Sequence, residues 1–329
     1  MRAWRTGDRP GSLRPVEEPV PEPGPGEVLV RVEACGVCRT DLHVVDRELP
    51  VHRPAVVPGH QVVGVVDRTG PGVRSPRTGD RVGVAWLHDT CGQCRWCRSG
   101  RENLCPFSRY TGWDVDGGFA EHVTAPAAYV YPLPAVTDPV STAPLLCAGI
   151  IGYRALRRAN LPPGGALGIY GFGSSAHLTA QVAIAAGARV LAMTRGEGNR
   201  QLARRVGAVF VGHATDAPPE PLDSAVVFAP AGELVPLALA ATVRGGTVVV
   251  AGIHLSDVPV LSYRRHLFEE RDLRSVTANT RADGEELLRI AGTLHLVPTT
   301  TTWPLGEAPA ALESLRSGRA SGSLVLVPG

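Results

Sequence analysis

The chain has 329 residues, of which 44% are hydrophobic and 19% charged, and its formal net charge is +2. This length exceeds what one hydrophobic core usually supports, so two domains are expected, and the near-neutral charge gives no reason to expect a nucleic-acid partner. None of the 33 basic residues is a lysine, which excludes chemistry that requires one, such as a Schiff base or a Walker A phosphate site.

Neither a secretion signal nor a membrane segment is apparent in the sequence. The N-terminal residues, MRAWRTGDRP, lack the apolar core of a signal peptide. The most apolar long stretch, 225–243, contains two prolines and Glu233, so it is interpreted as a strand, a turn and a helix. Seven cysteines without a signal peptide indicate a reducing compartment. We expect a cytoplasmic protein without a membrane partner.

The predicted elements change character along the chain. Up to about Pro163, β-rich runs such as EVLVRVEACG and QVVGVVDRTG alternate with Pro/Gly turns, which is typical of a small barrel or sandwich. From Ala166, helical segments separate six apolar strand runs: ALGIYG, RVLAMT, AVFVGH, SAVVFAP, GTVVVAG and LRSVTAN. This alternation predicts an α/β domain with a doubly wound parallel sheet. The tail after about Ala282 is too small to fold alone and is predicted to pack on the first domain.

Four cysteines lie within one fifteen-residue segment, CGQCRWCRSGRENLC. Two-residue gaps allow neighbouring thiolates to converge on one ion, and four sulfurs close a tetrahedral shell with no open position. Such a shell favours zinc, with incidental thiols or an iron–sulfur site as the alternatives. We predict a structural zinc lobe over about 88–108, with the ligands Cys91, Cys94, Cys97 and Cys105.

Cys38, His60 and Cys147 suggest a second metal site. Two thiolates and one imidazole neutralise a zinc dication and leave the fourth tetrahedral position for water or substrate, as in a catalytic zinc site. Their spacing alone is weak evidence, because a buried cysteine usually packs as a small hydrophobic residue.

The order of the motifs carries a family resemblance. GVCRTDLH, VPGHQVVGVV, the four-cysteine lobe and PLLCAGI precede a glycine-rich strand–helix turn. Over essentially its whole length the chain resembles the zinc-containing medium-chain alcohol dehydrogenases, and WLHDTCGQC and TGWDVDGGFAEH resemble their bacterial and yeast-type members. The resemblance implies a discontinuous GroES-like catalytic domain, 1–148 with 283–329, and a Rossmann dinucleotide-binding domain, 149–282.

The resemblance also implies roles for individual residues. The catalytic zinc would be held by Cys38, His60 and Cys147, with Asp41 orienting His60. Thr40 would take the alcohol proton and pass it through the cofactor ribose to His43. Arg39 would contact the cofactor pyrophosphate. Trp86 and Trp113 fall where the family lines its substrate pocket, with ordinary aromatic packing as the alternative, and Cys35 is expected to pack in the core.

One residue beside the predicted metal departs from the family pattern. The family usually has a glutamate after the histidine ligand, and this chain has Gln61. Glutamine keeps the hydrogen-bonding capacity but removes a negative charge beside the zinc. We expect a changed rate or substrate range without loss of the metal.

The segment IYGFGSSAH contains a dinucleotide-binding fingerprint. Gly171, Gly173 and Ala176 form its G-x-G-x-x-A pattern between a predicted strand and a predicted helix. The glycines admit a pyrophosphate to the helix N-terminus. The hydroxyls of Ser174 and Ser175 are expected to add donors.

The end of the next strand favours NADP(H) over NAD(H). An NAD enzyme needs an acidic residue there for the ribose 2′-hydroxyl, whereas this chain has Thr194 followed by Arg195. Glu197 argues mildly against this preference, and an exposed Arg195 with a pocket open to both cofactors is the alternative. Ser323 stands where related enzymes often have a phosphate-binding arginine.

These features predict a zinc-dependent alcohol dehydrogenase that oxidises a primary or aromatic alcohol reversibly to its aldehyde. Two zinc ions, NADP(H) or NAD(H), and a homodimer or homotetramer are expected. The alternatives are a catalytically weak cofactor-binding or scaffold member of the same fold, a zinc-free quinone-reductase type and a zinc-binding interaction module. The full cysteine inventory argues against the second, and the dinucleotide-binding half against the third.

Overall fold

The protein is described by a computed structural model that covers residues 1–329. Its contacts divide the chain into two compact units. The first comprises Met1–Cys147, Ala278–Glu286 and Pro298–Gly329, and the second comprises Ala148–Thr277 and Leu287–Val297. The division based on sequence assigns the last of these segments to the first domain, whereas its contacts group it with the second unit. No helix combines the length and apolar character needed to cross a bilayer.

The elements are numbered along the chain. The strands in the first 147 residues are β1 (Arg2–Thr6), β2 (Leu13–Glu17), β3 (Glu27–Val37), β4 (Val62–Thr69), β5 (Arg81–Val84), β6 (Leu87–Asp89), β7 (Arg109–Tyr110), β8 (His122–Pro126) and β9 (Val130–Pro132). The later strands are β10 (Ala166–Tyr170), β11 (Arg189–Met193), β12 (Phe210–Gly212), β13 (Leu222–Val227), β14 (Thr242–Val250), β15 (Asp272–Ser275), β16 (Thr300–Pro304) and β17 (Ser323–Val327). The α-helices are α1 (Arg39–Val45), α2 (Arg95–Arg98), α3 (Pro139–Thr142), α4 (Ala148–Ala159), α5 (Ser174–Ala185), α6 (Glu197–Val206), α7 (Leu234–Ala241), α8 (Arg281–Leu294) and α9 (Ala308–Arg316).

A seven-stranded sheet forms the centre of the first unit. Its order is β16-β17-β3-β4-β5-β9, with β8 also paired to β3. Alternate residues of β3, including Val28, Val30 and Val32, are buried and belong to one hydrophobic core, as the two-residue period of a strand requires. The strands β16 and β17 extend this sheet beyond β3. The predicted β-rich, GroES-like first domain is confirmed.

A six-stranded parallel sheet with the order β12-β11-β10-β13-β14-β15 forms the centre of the second unit. All five residues of β10 are buried, because alternate side chains enter separate cores on the two faces of the sheet. Leu167 and Ile169 belong to one core, and Ala166 and Tyr170 to the other. Strand order reverses between β10 and β13, where sheets of this kind bind ligands. The predicted doubly wound sheet is confirmed.

Candidate functional site

The four cysteines of the predicted lobe converge on one point. Their sulfur atoms all lie within 4.8 Å of one another. The distance is 3.5 Å for both Cys94–Cys97 and Cys91–Cys105, and 4.0 Å for Cys91–Cys97. Four thiolates at about 2.3 Å from a central zinc would lie about 3.8 Å apart, whereas a disulfide requires about 2.05 Å. The arrangement therefore fits a single tetrahedral ion, and all seven cysteines are free thiols.

Backbone N–H groups already support negative charge on these sulfurs. The N–H of Cys94 donates to the sulfur of Cys91 at 3.4 Å, and the N–H groups of Cys91 and Phe107 donate to the sulfur of Cys105. Backbone hydrogen bonds lower the pKa of Cys91 to about 6, because they stabilise its thiolate form. At Cys105, burial outweighs the backbone hydrogen bonds and raises the pKa to about 11, so an ion that binds all four sulfurs must displace a proton there.

A second convergence brings together Cys38, His60 and Cys147, whose ligand atoms also lie within 4.8 Å of one another. The Cys38 sulfur is 3.3 Å from Nε2 of His60, close to the value of about 3.6 Å expected when both bind one tetrahedral zinc. Three protein ligands leave the fourth position open, which distinguishes this group from the closed cysteine lobe.

The local backbone explains how two of these ligands are held. Cys38 is the N-cap of α1, where its sulfur accepts from the N–H of Thr40 and its own N–H donates to the carboxylate of Asp41. Gly59, just before His60, has φ +97, and a Cβ there would lie 2.8 Å from the backbone nitrogen of Phe119. A glycine is therefore required to turn the chain and present His60.

Asp41 connects the helix start to the imidazole. Its Oδ2 accepts from the N–H of Cys38 at 2.8 Å, and its Oδ1 accepts from the N–H of Gly59 at 3.1 Å. The same Oδ1 lies 3.1 Å from Nδ1 of His60, although the ring N–H is not aligned for a full hydrogen bond. The carboxylate thus faces the nitrogen on the side of the ring away from Cys38, which is how metal-binding histidines are usually oriented.

The three ligands shift one another's pKa. A hydrogen bond with Cys147 lowers the pKa of Cys38 well below its usual value, with help from His60 and against the effect of burial. The same hydrogen bond, together with burial, raises the pKa of Cys147. Burial lowers the pKa of His60, but Asp41 and Cys38 outweigh it and raise the pKa to about 10. A metal ion that binds all three ligands must therefore displace protons from His60 and Cys147.

The other predicted residues of the first unit surround α1 and β4. Thr40 and His43 lie on α1 and are buried, and Arg39 is exposed at its first position. Gln61 is also buried, directly after His60. Its side chain packs so closely on Gly36 that a Cβ there would lie 2.8 Å from the amide carbon.

Trp86 and Trp113 belong to a stack of aromatic rings. Their ring centroids are 5.8 Å apart with an interplanar angle of 12°, and Tyr110 lies between 5.0 and 5.8 Å from both. Trp86 and His60 form a T-shaped pair, with 4.8 Å between ring centroids and an interplanar angle of 71°. His52 covers the other end at 3.9 Å from Trp113. An aromatic stack of Trp86, Tyr110, Trp113 and His52 therefore begins beside His60, a predicted zinc ligand.

Sequence reasoning missed the residues whose hydrogen bonds hold this aromatic stack in place. Asp114 accepts from the N–H of Tyr110 at 2.8 Å and lies 2.7 Å from Nδ1 of His52, while the indole N–H of Trp113 donates to the carbonyl of Pro50. His52 and Asp114 are 62 positions apart. Only the fold brings them together, so no local pattern indicates their contact.

The fingerprint loop of the second unit lies between β10 and α5. Gly171 has φ +87, and a Cβ there would lie 2.7 Å from the backbone nitrogen of Ala229. A Cβ at Gly173 would meet no atom within 4 Å, so the space above the loop is open. The helix α5 begins directly after this loop, at Ser174 and Ser175, and a helix N-terminus beside a glycine-rich turn suits a pyrophosphate.

At the end of β11, no acidic side chain takes the position expected for binding a ribose. Thr194 is buried, and its hydroxyl accepts from the N–H of Phe172 at 3.0 Å. Arg195 is exposed. The carboxylate of Glu197 pairs with Arg200 at 2.9 Å and Arg204 at 3.0 Å on its own helix, so two cations balance its charge. Ser323 is buried at the start of β17 in the first unit.

Two family profiles match the chain: residues 24–135 match the alcohol dehydrogenase GroES-like domain, and residues 176–292 match the zinc-binding dehydrogenase domain. A probable alcohol dehydrogenase of Mycobacterium tuberculosis is 55% identical, covering 99% of this chain and 97% of that protein.

Solved structures agree with these matches. The cobalt- and zinc-bound thermostable alcohol dehydrogenase of Pyrobaculum aerophilum has a TM-score of 0.91 at 27% identity, covering 100% of this chain and 99% of that one. A putative zinc-binding dehydrogenase of Sinorhizobium meliloti bound to NADP has a TM-score of 0.89 at 29% identity, covering 99% of both chains. The two domain matches and the near-complete overlap with a relative at 55% identity show that the chain belongs to the zinc-containing medium-chain alcohol dehydrogenase family.

Proposed function

We propose that the protein is a zinc-dependent alcohol dehydrogenase that transfers a hydride reversibly between an alcohol and a nicotinamide cofactor. The observation that carries this proposal is the convergence of Cys38, His60 and Cys147, with Asp41 behind the imidazole and a fourth position left open. A zinc ion bound there would favour loss of the alcohol proton and polarise the carbonyl of the aldehyde. The four-cysteine lobe would hold a second, structural zinc.

Two residues near the open position are proposed to carry the alcohol proton away from the metal. Thr40 lies two residues after the ligand Cys38, and its side chain is buried within the first turn of α1. Its hydroxyl is assigned to accept the alcohol proton and His43 to carry it onward. Gln61 would leave the neighbourhood of the metal without the extra negative charge of a glutamate. Arg39 is assigned to the cofactor pyrophosphate.

NADP(H) is the proposed cofactor. Thr194 removes the carboxylate that would repel a 2′-phosphate, and Arg195 supplies an exposed guanidinium beside it. Arg200 and Arg204 balance the charge of Glu197, so this carboxylate opposes a phosphate less than its position suggests.

The aromatic stack beside His60 supports a primary or aromatic alcohol as the substrate. Trp86 and Trp113 lie in the aromatic stack that begins beside His60, so a substrate bound at the three-ligand site would meet aromatic surface, which favours an aromatic side group. Both indoles are assigned to the substrate pocket on this basis.

A homodimer or homotetramer is proposed from one surface of the second unit. The strand β15 forms an open edge of the parallel sheet, and exposed apolar side chains lie close to it in the sequence, including Val260, Tyr263 and Phe268. Unpaired edges and exposed apolar patches commonly mark interfaces between chains.

A panel of primary, secondary and aromatic alcohols and their aldehydes, assayed with both cofactors, tests the function. We expect turnover of primary or aromatic substrates with NADP(H) at lower KM than with NAD(H). Binding of NADPH without turnover of any alcohol or aldehyde would instead indicate a cofactor-binding member of the fold.

A further inference from the structure

A carboxylate contacts the histidine at the end of α1. The imidazole of His43 is buried, with 5% of its side chain exposed, and its Nδ1 is in hydrogen-bond contact with a carboxylate oxygen of Glu48. The Glu48 side chain is 46% exposed. The pair therefore joins a buried ring to the protein surface through one contact.

The turn after α1 is built to bring Glu48 back onto His43. The carbonyl of His43 accepts from the N–H of Glu48 at 2.9 Å and from the N–H of Leu49 at 3.3 Å. Arg47 adopts the left-handed conformation, with φ +57, which costs energy for a residue with a side chain. Its guanidinium donates to the backbone carbonyls of residues 7–8, and these hydrogen bonds hold the turn in place.

A second carboxylate in the same turn has a different partner. Asp46 forms a two-point ion pair with Arg316, at 2.6 and 3.3 Å. The turn thus contains one acid directed at an arginine and one directed at the imidazole. The turn therefore places Glu48, and not Asp46, against His43.

The contact determines which tautomer of neutral His43 is favoured. A carboxylate against Nδ1 stabilises the form in which Nδ1 carries the hydrogen, because an ionised carboxylate only accepts hydrogen bonds. Nε2 is then free of hydrogen and able to accept a proton. When Nε2 gains a proton, the Nδ1 proton lies against a carboxylate that reaches solvent.

We propose that Glu48 is a positioning residue for His43 and the acceptor through which the proton of the reaction reaches solvent. One proton enters at Nε2 of His43, the Nδ1 proton passes to Glu48, and Glu48 releases it to water, with no change in electron count. This inference rests on the proposed function, because it requires alcohol oxidation to deliver a proton to His43. The reverse sequence would supply the proton for aldehyde reduction.

The test compares release of protons with formation of reduced cofactor. Enzyme saturated with NADP⁺ is mixed rapidly with the best alcohol of the panel, and NADPH absorbance and a pH-indicator dye are recorded in parallel. Turnover by the wild type is the first requirement, so its absence would count against the proposed function before any variant is considered. The variants are Glu48→Ala and Glu48→Gln, with Asp46→Asn as the control for loss of a carboxylate in the same turn.

The proposal predicts that both Glu48 variants lower kcat by about 10-fold or more, the scale of losing a carboxylate that supports a working histidine. Their KM values and zinc content should stay as in the wild type, and their dye signal should lag behind NADPH. Formate should restore part of the rate in Glu48→Ala, where chloride at equal ionic strength does not. Asp46→Asn should stay within twofold of the wild type. Normal kcat with synchronous proton release in both Glu48 variants, or a loss that formate does not reverse, would overturn the proposal.

Discussion

Oδ1 of Asp41 lies 3.1 Å from Nδ1 of His60, while the opposite nitrogen of the same ring is 3.3 Å from the sulfur of Cys38. The carboxylate and the thiolate thus act on the two ends of one imidazole. Asp41 also accepts from the N–H of Cys38, so one acid orients the histidine and closes the start of the helix that carries a neighbouring ligand.

Asp41→Asn should weaken binding of zinc at the three-ligand site by about 10- to 100-fold, as for other residues that orient a metal-binding histidine. The amide keeps the size of the side chain but removes the charge beside His60. Competition with a chelator, at one zinc per chain, measures the change. Asp116→Asn, in the ion-pair network of Arg5 and Arg53, is the control, and equal zinc affinity in Asp41→Asn and the wild type would contradict the role of Asp41.

Cys105→Ser should open the four-cysteine shell and reduce the zinc content from two ions per chain to one. The three-ligand site keeps all its residues, so the remaining zinc should support turnover. The midpoint of thermal unfolding should fall by on the order of 5 °C or more, because the lobe loses the ion that links its four cysteines.

Cys35→Ser is the matched control for the structural lobe, because Cys35 is a buried free thiol in the same unit but belongs to neither cluster. This variant should keep both zinc ions even if it is less stable. A Cys105→Ser protein that retains two zinc ions would show that the four sulfurs do not form one site.

Arg195→Ala should weaken NADPH binding by ~1.5–3 kcal/mol, the contribution of a hydrogen bond to a charged group, and leave NADH binding nearly unchanged. Thr194→Asp should shift the preference towards NADH, because it restores the acid that binds a ribose hydroxyl. Dissociation constants from fluorescence titration measure both effects. Arg205→Ala, which removes another exposed arginine from the region, should change neither, and equal losses for the two cofactors in Arg195→Ala would refute the assignment.

Trp113→Leu should raise KM for benzyl alcohol by about 2- to 12-fold, corresponding to the 0.5–1.5 kcal/mol of an aromatic pair. KM for ethanol should change little, because ethanol has no ring to stack. Trp96→Leu removes an indole from the cysteine lobe and should alter neither value. Equal changes for the two alcohols would assign Trp113 to packing alone.

Thr40→Val should lower kcat by roughly 10²–10⁴-fold, the usual contribution of a positioned proton transfer. Valine has nearly the same shape as threonine, so both zinc ions and the cofactor affinity should be kept. His43→Ala should lose less, since water or added imidazole can replace a carrier near the end of the path. Near-normal turnover in Thr40→Val would show that the proton leaves by another route.

The strand and helix patterns predicted both sheets, because the spacing of apolar residues in a strand or helix can be read from neighbouring positions in the sequence. The fingerprint Gly171-x-Gly173 was recognisable because strand, turn and helix follow one another directly. The convergence of Cys38, His60 and Cys147 depends on pairing across the first sheet, so spacing alone left it open and the family resemblance supplied it.

Other contacts had no signal in the sequence. His52 meets Trp113 and Asp114 only after the loop around residue 52 folds over the turn at residue 113. The contact of Glu48 with His43 depends on the left-handed conformation of Arg47. An arginine in the sequence does not predict this conformation, which is typical of glycine or asparagine. The grouping of residues 287–297 with the second unit follows from packing within that unit, which helical periodicity does not specify.

Zinc content and turnover measured on the same sample test the central claim most directly. The protein is treated stepwise with a chelator, and zinc per chain is plotted against the rate of alcohol-dependent NADP⁺ reduction. We predict two zinc ions per chain at the start, a loss of activity proportional to the zinc released from the three-ligand site, and recovery when zinc is returned. Full activity in protein from which that site's zinc has been removed would contradict the account.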